Sequence, residues 1–300
     1  MKQYDEALQK KLSDYIDGLG PGGQKKAASE LGYSEALIST YRKSTYHGNV
    51  AGIENRLREF FQIQEQSAEL YFAPEYIPTS ISEGVYSTIR MCHLNGSLAN
   101  EYGDAGIGKT KAAEKYVRDY PNSAVLVTVN PCFANVNACL KLICWELGIP
   151  AGRKDEMWKN IYEHLRGGRK VLIIDEAQHL PIKTIDTLRS FSDANKELGI
   201  VLIGNPIAIA NADNPRYKQI KNRTKLPSIR HTTDVTLDDI QKLFPDLKDC
   251  PKELEFLHAV ARSEQGVRGT MNLYINARNN ENTTIKGLMA MAKTMQIIAS

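Results

Sequence analysis

Little in the composition would staple the chain with disulfides, hold it in a membrane or draw it strongly to polyanions. Its five cysteines (Cys92, Cys132, Cys139, Cys144 and Cys250) are odd in number and include no Cys-x-x-Cys pair. Neither a disulfide framework nor a zinc ribbon is expected, and they read as reduced thiols that mostly pack. No apolar run approaches the roughly 18–20 residues of a membrane span, and Lys2, Gln3, Tyr4 and Asp5 lack the apolar character of a secretory signal. The expectation is a cytoplasmic protein without a membrane partner. The six histidines are scattered rather than grouped at metal-ligand spacing. A formal net charge of only +3 gives no global sign of nucleic acid. Internal repeats and low-complexity tails are also missing.

What is present divides into modules, since 300 residues are enough for two or three separate cores. Residues 1–70 read as all helical, with breaks at Gly20–Gly23 and around His47–Gly52. Residues 71–82, with Pro74 and Pro78, read as a linker. From 83 to 232 short β-branched runs alternate with helical patterns: Ala124–Val129, Lys170–Ile174 and Ile200–Ile203 are followed by longer segments such as Asn135–Leu147 and Ile185–Leu198. Continuously apolar strands separated by helices predict an α/β fold with a parallel sheet covered on both faces. Residues 233–300 return to helical periodicity and read as a small α-helical lid.

Gly103-Asp104-Ala105-Gly106-Ile107-Gly108-Lys109-Thr110 satisfies Gly-x-x-x-x-Gly-Lys-Ser/Thr. Its glycines let the backbone curl with N–H groups toward phosphates, Lys109 reaches the β and γ oxygens, and the Thr110 hydroxyl ligates Mg2+. A chance match in a chain of this length has a probability of roughly one per cent. The context also suits a phosphate loop, because a strand at Gly96–Tyr102 precedes it and a helix over Lys111–Arg118 follows. Asn100 and Glu101 are poor strand formers and are the weak point. Asp104 places an acid inside the loop, which opposes nucleotide binding unless it turns outward. The phosphate-binding set is therefore Gly103 to Thr110 with Lys111.

Val171-Leu172-Ile173-Ile174 then delivers Asp175 and Glu176 to the C-terminal edge of a buried strand, where open α/β sheets bind ligands. Asp175 is expected to hold the Mg2+ shell and Glu176 to act as general base on the attacking water. A third strand ends in Gly204-Asn205, whose amide suits the lytic water or the γ-phosphate. A turn-forming Asn before Pro206 is the blander alternative. Arg216, Lys218, Lys221, Arg223, Lys225 and Arg230 form a basic stretch without an acid, either a solvated helix face or an anion or partner site.

This order of motifs resembles the AAA+ ATPases, and within them the transposition ATPases that deliver target DNA, with secretion-type ATPases of similar core sequence as near relatives. The resemblance covers nearly the whole chain, including Ile77-Pro78-Thr79 and Asp175-Glu176-Ala177-Gln178. It implies a sensor role for Asn205 and an arginine finger at Arg223, with Arg216 in reserve. In the lid, Gly266-Val267-Arg268 with Ala277 makes Arg268 a γ-phosphate contact.

Gln24–Lys43 has the spacing of a helix-turn-helix and resembles the repressor-like domains of that kind. Ala27, Ala28 and Leu31 lie on one face, Gly32 permits the turn, and Leu37, Ile38 and Tyr41 form the buried face of the second helix. Ser34, Glu35, Ser39, Thr40, Arg42 and Lys43 are left as candidate DNA contacts. Residues 1–70 carry nine basic and ten acidic side chains, so the module lacks the field of a tight independent DNA binder, and a protein-docking domain is the alternative. The leading expectation is an ATPase using ATP and Mg2+ that forms a homo-oligomer, a ring or helical filament, on double-stranded DNA and serves a transposase or integrase. The alternatives are an ATPase of a secretion or membrane machine and a nucleotide-sensing DNA-binding regulator.

Overall fold

The computed structural model describes residues 4–68, 76–205 and 226–298. Contacts divide the chain into two units that part between residues 72 and 73.

The N-terminal unit contains four described helices. Asp5 accepts the Leu8 N–H and caps α1 (Glu6–Gly18). Helix α2 (Gly23–Leu31) stops at Gly32, whose φ of 71° is a conformation only glycine adopts cheaply, and α3 (Glu35–Arg42) restarts after the Ser34 cap. Helix α4 (Val50–Ala68) closes the bundle. Leu12, Ala27, Ala28, Leu31, Ile38, Tyr41 and Leu57 form its core, while Leu37 is only partly buried.

In the second unit five strands form one parallel sheet. These are β1 (Leu98–Gly103), β2 (Ala124–Thr128), β3 (Lys170–Asp175), β4 (Leu198–Gly204) and β5 (Leu226–Arg230), in the order β2-β3-β4-β1-β5. The period-2 pleat sorts side chains between two helical layers. Val171 and Ile173 join Val201 and Ile203 under α5 (Ser80–Asn95) and α6 (Lys109–Asp119). Leu172 and Ile174 join Ile200 and Leu202 under α7 (Val136–Glu146), α8 (Lys154–Leu165) and α9 (Ile182–Ala194). Both faces are therefore dry, which is why these strands read as continuous apolar runs.

Strand β1 breaks that pattern with Glu101, whose side chain is 0% exposed. A buried carboxylate requires a partner, and Arg230 of the neighbouring β5 supplies one, with Nε 3.1 Å and Nη2 3.3 Å from its two oxygens. Gly84 of α5 makes room for the guanidinium, since a Cβ there would lie 2.5 Å from Arg230 Nη1.

The lid comprises α10 (Leu237–Leu243), α11 (Pro251–Ala261), α12 (Gly266–Asn279) and α13 (Ile285–Thr294). Its start is anchored by Asp239, which accepts from the Ser80 N–H and hydroxyl at 2.6 and 2.7 Å and from the Thr236 N–H at 2.9 Å.

Two features differ from the sequence reading. The segment expected to be linker as far as 82 already contains a capping box, in which Thr79 and Ser82 satisfy each other's N–H groups and open α5. Strand β5 was not expected, because Pro227 and the surrounding basic residues mask it, and Arg230 belongs to this strand rather than to a solvated helix face. Arg216 and Arg223 lie outside the described residues.

Candidate nucleotide site

The phosphate loop leaves β1 at Gly103, where a Cβ would meet Arg230 O at 2.5 Å and Ile107 Cδ1 at 2.8 Å, so only glycine fits. Gly106 and Gly108 take φ of 74° and 96°, and the chain then enters α6, whose first turn carries no acid to offset its positive end. Asp104 turns outward. Its Oδ2 accepts the Thr232 N–H at 2.8 Å and lies 3.6 Å from His231 Nδ1, which answers the concern about an acid in the loop. The Lys111 ammonium reaches Glu114 at 2.8 Å on the surface of α6.

The lid touches the loop directly. Arg268 donates its backbone N–H to Gly106 O at 2.9 Å. Gly266, at φ 61°, allows the close approach, since a Cβ there would lie 2.9 Å from Ala105 O. Arg268 thereby lines the cavity at the loop.

Thr110 donates its hydroxyl to Asp175 Oδ2 at 2.8 Å. Lys109 Nζ donates to the carbonyls of Gly103 and Asp104, both at 2.7 Å, and lies 3.4 Å from Asn205 Oδ1. Lys109 is 8% exposed and Asp175 2%. Burial pulls the Lys109 pKa below its usual value, with Asp175, Glu176 and Asp104 opposing and Arg268 adding to the fall. Burial likewise pushes Asp175 upward, beyond what the Thr110 hydroxyl and the Glu176 N–H give back. A buried ammonium and a buried carboxylate, each disfavoured as a charge, suit a ligand that brings an anion to the first and a cation to the second. Adjacent hydroxyl and carboxylate oxygens are hard donors appropriate to Mg2+.

Glu176 sits in the left-handed region, φ 58° and ψ 32°, and the chain turns there into a short 3-10 turn over Ala177–His179. Its carboxylate accepts from Gln178 Nε2. Lys109, Thr110, Asp175, Glu176, Asn205 and Arg268 all border one cavity of about 580 Å³. The lining also includes apolar side chains, Tyr76 and Ile77 ahead of α5 and Leu243, Met271 and Ile275 of the lid. The sequence does not announce these apolar lining residues, because they are spread over nearly 200 positions.

Several of the candidate DNA contacts on α3 also make bonds within the N-terminal unit. Ser34 spends its hydroxyl oxygen on the Leu37 N–H, and the Thr40 hydroxyl bonds back to the carbonyls of Ala36 and Leu37. Arg42 Nε donates to Ser13 Oγ at 3.1 Å. Glu35 and Lys43 are exposed, and Ser39 is half-buried.

Residues 101–211, which run from the phosphate loop past Asn205, match the model of an AAA domain. The chain is 32% identical over 185 residues to the Mu-like prophage FluMu DNA transposition protein B of Haemophilus influenzae. That match covers 61% of this chain and 64% of the relative, a little under two thirds of the latter's length. The ATP-dependent target DNA activator B of Escherichia phage Mu is 27% identical over 254 residues, covering 81% of this chain and 79% of the relative. The chain thus carries a segment matching an AAA domain and is homologous to the Mu-type transposition B proteins. Among solved structures, the Aeropyrum pernix ORC2 protein superposes with a TM-score of 0.55 at 14% identity, covering 74% of this chain and 69% of that one. At that identity the likeness concerns the AAA+ fold alone: a parallel sheet with its phosphate loop at the C-terminal edge, flanked by helices.

Proposed function

We propose that the chain is an ATP-hydrolysing DNA-binding protein that assembles on double-stranded DNA and presents target DNA to a transposase. The observation that carries the hydrolytic part is the convergence of Lys109, Thr110, Asp175 and Glu176 on one cavity whose lining also includes apolar side chains. Phosphates belong beside the buried ammonium and the amino end of α6, and a purine base belongs among Tyr76, Ile77 and Met271. Thr110 and Asp175 would hold Mg2+. When bound there, the metal neutralises charge on the β and γ phosphates.

In this reading Lys109 binds and orients the phosphates, and Glu176 takes a proton from the water that attacks the γ-phosphorus. The bond to the β,γ-bridging oxygen breaks, leaving ADP and inorganic phosphate. Asn205 orients the water or senses the γ-phosphate, and Arg268 reports its presence to the lid. Arg223, with Arg216 as the alternative, supplies an arginine finger to the neighbouring subunit of a ring or filament. The phage Mu relative's designation as an ATP-dependent target DNA activator supports extending the reading to DNA and a transposase. ATP binding favours assembly on DNA, and hydrolysis releases it.

If nucleotide and DNA are coupled, each must tighten the other by the same factor. Affinity for long duplex DNA, measured with a slowly hydrolysed ATP analogue, with ADP and without nucleotide, should be highest with the analogue. Equal affinity in all three would remove the coupling and favour a plain DNA-binding regulator.

A further inference from the structure

Gln178 stands two residues past Asp-Glu, outside the lining of the cavity, and touches both elements that carry the chemistry. Its Nε2 donates to Glu176 Oε2. Its Oε1 accepts the backbone N–H of Asn205 at 3.1 Å. The orientation of the amide is fixed by its partners, because a carboxylate only accepts and an N–H only donates. We propose that Gln178 is a positioning residue that fixes the carboxylate of Glu176 and ties it to the end of β4. The inference rests on the hydrolytic reading of Glu176 given above.

Two features of the backbone are arranged for this contact. Glu176 adopts a left-handed conformation, uncommon for a residue with a long side chain, and the 3-10 turn that follows brings residue 178 back beside it. Gly204 gives the amide room, since a Cβ there would lie 2.7 Å from Gln178 Oε1. Asn205 Oδ1 is in turn 3.4 Å from Lys109 Nζ. A polar path therefore runs Lys109, Asn205, Gln178, Glu176, joining the phosphate-binding lysine to the general base without passing through the cavity.

A carboxylate that must meet one water in line with the γ-phosphate is sensitive to small rotations, and a displacement of about 1 Å in such a group can cost a hundredfold in rate. Gln178 meets the need with a neutral side chain, donating on one side and accepting on the other. Glutamate would keep the acceptor for Asn205 but replace the donor with a charge that repels Glu176. Methionine would keep the length and lose both bonds.

The test uses the full chain with long duplex DNA and Mg-ATP. Gln178→Met and Gln178→Glu should each lower kcat by roughly ten- to a hundredfold while leaving KM and ATP affinity unchanged. Gly204→Ala should do the same, because the Gln178 amide, at the end of a flexible side chain, gives way to the new methyl. In a Glu176→Gln background, adding Gln178→Met should not lower the residual single-turnover rate further, since the group it positions is gone. If Glu176→Gln stops turnover but both Gln178 variants keep their kcat, the positioning role is wrong. A loss of ATP affinity, or an undiminished effect of Gln178→Met in the Glu176→Gln background, would also overturn it. Normal turnover by Glu176→Gln would refute the reading of the base itself, and this inference with it.

Discussion

Thr232, in the turn between the sheet and the lid, donates its backbone N–H to Asp104 Oδ2 at 2.8 Å. The Asp104 N–H in turn donates to the carbonyl of Arg230 at 3.0 Å, so the acid inside the phosphate loop is held by its backbone to the end of β5 and by its side chain to the turn just after it. Its side-chain partners are the Thr232 N–H and His231.

Asp104→Ala should therefore destabilise the chain by about 1–2 kcal/mol, the loss of a partly buried hydrogen bond to a charged acceptor, and Asp104→Asn should retain much of that stability through its amide oxygen. Because the carboxylate turns outward, removing its charge should tighten ATP binding by less than about tenfold. Thermal unfolding and titration with a fluorescent ATP analogue check the two halves. A larger gain in affinity would mean that the carboxylate faces the phosphates.

Asp239 makes a second joint, between the start of α5 and the first lid helix. Burial pushes its pKa up, but the bonds from Ser80 and Thr236 together outweigh burial and leave the pKa below the usual 3.8. A carboxyl whose folded pKa lies below its unfolded one contributes stability above about pH 4 and loses it as pH falls through the folded value. Asp239→Ala should remove about 2–4 kcal/mol at neutral pH by leaving the N–H groups of Ser80 and Thr236 without their acceptor. The gap between the two proteins should narrow as pH drops below 4. Urea unfolding at pH 7 and at pH 3 measures it, and a gap that widened on acidification would contradict the assignment.

Much of the nucleotide site was legible in the sequence because its residues are close in the chain and constrained by spacing. Gly103 to Thr110 is one contiguous turn, and Asp175 and Glu176 end a strand whose apolar run announces burial on both faces. The parallel sheet was legible for the same reason. What escaped is held by distant pairs. Glu101 looked like a poor strand residue until Arg230, 129 positions away, was found beside it, and the same pairing makes β5 a strand despite its proline and its charge. Asp239 lies 159 positions from Ser80, and while Thr236-x-x-Asp239 has the spacing of a capping box, nothing local marks its bonds to Ser80. On α3, helical spacing leaves Ser34, Thr40 and Arg42 on the outer face but does not show that the first two bond to their own helix and the third to Ser13 of α1. Short polar side chains on a helix compete for backbone groups, which periodicity does not register.

The intersubunit reading has its own test. An arginine finger acts on a neighbour's γ-phosphate, so Arg223→Ala should leave ATP binding nearly intact and lower hydrolysis on the order of a hundredfold or more, comparable fingers being worth three to five decades. Mixing Arg223→Ala with Lys109→Ala should restore turnover that neither shows alone, since one supplies a sound loop and the other a sound finger. An inactive mixture in which both variants still co-assemble on DNA would exclude Arg223 and pass the role to Arg216.

The most direct measurement compares Lys109→Ala with Glu176→Gln for ATP retention, turnover and residence on DNA. Lys109→Ala should lose nucleotide affinity, because the phosphates lose the buried cation that faces them. Glu176→Gln should bind ATP as the unaltered chain does, fail to hydrolyse it, and stay on DNA, because only the proton acceptor is gone. Hydrolysis by Glu176→Gln at the normal rate would contradict the account.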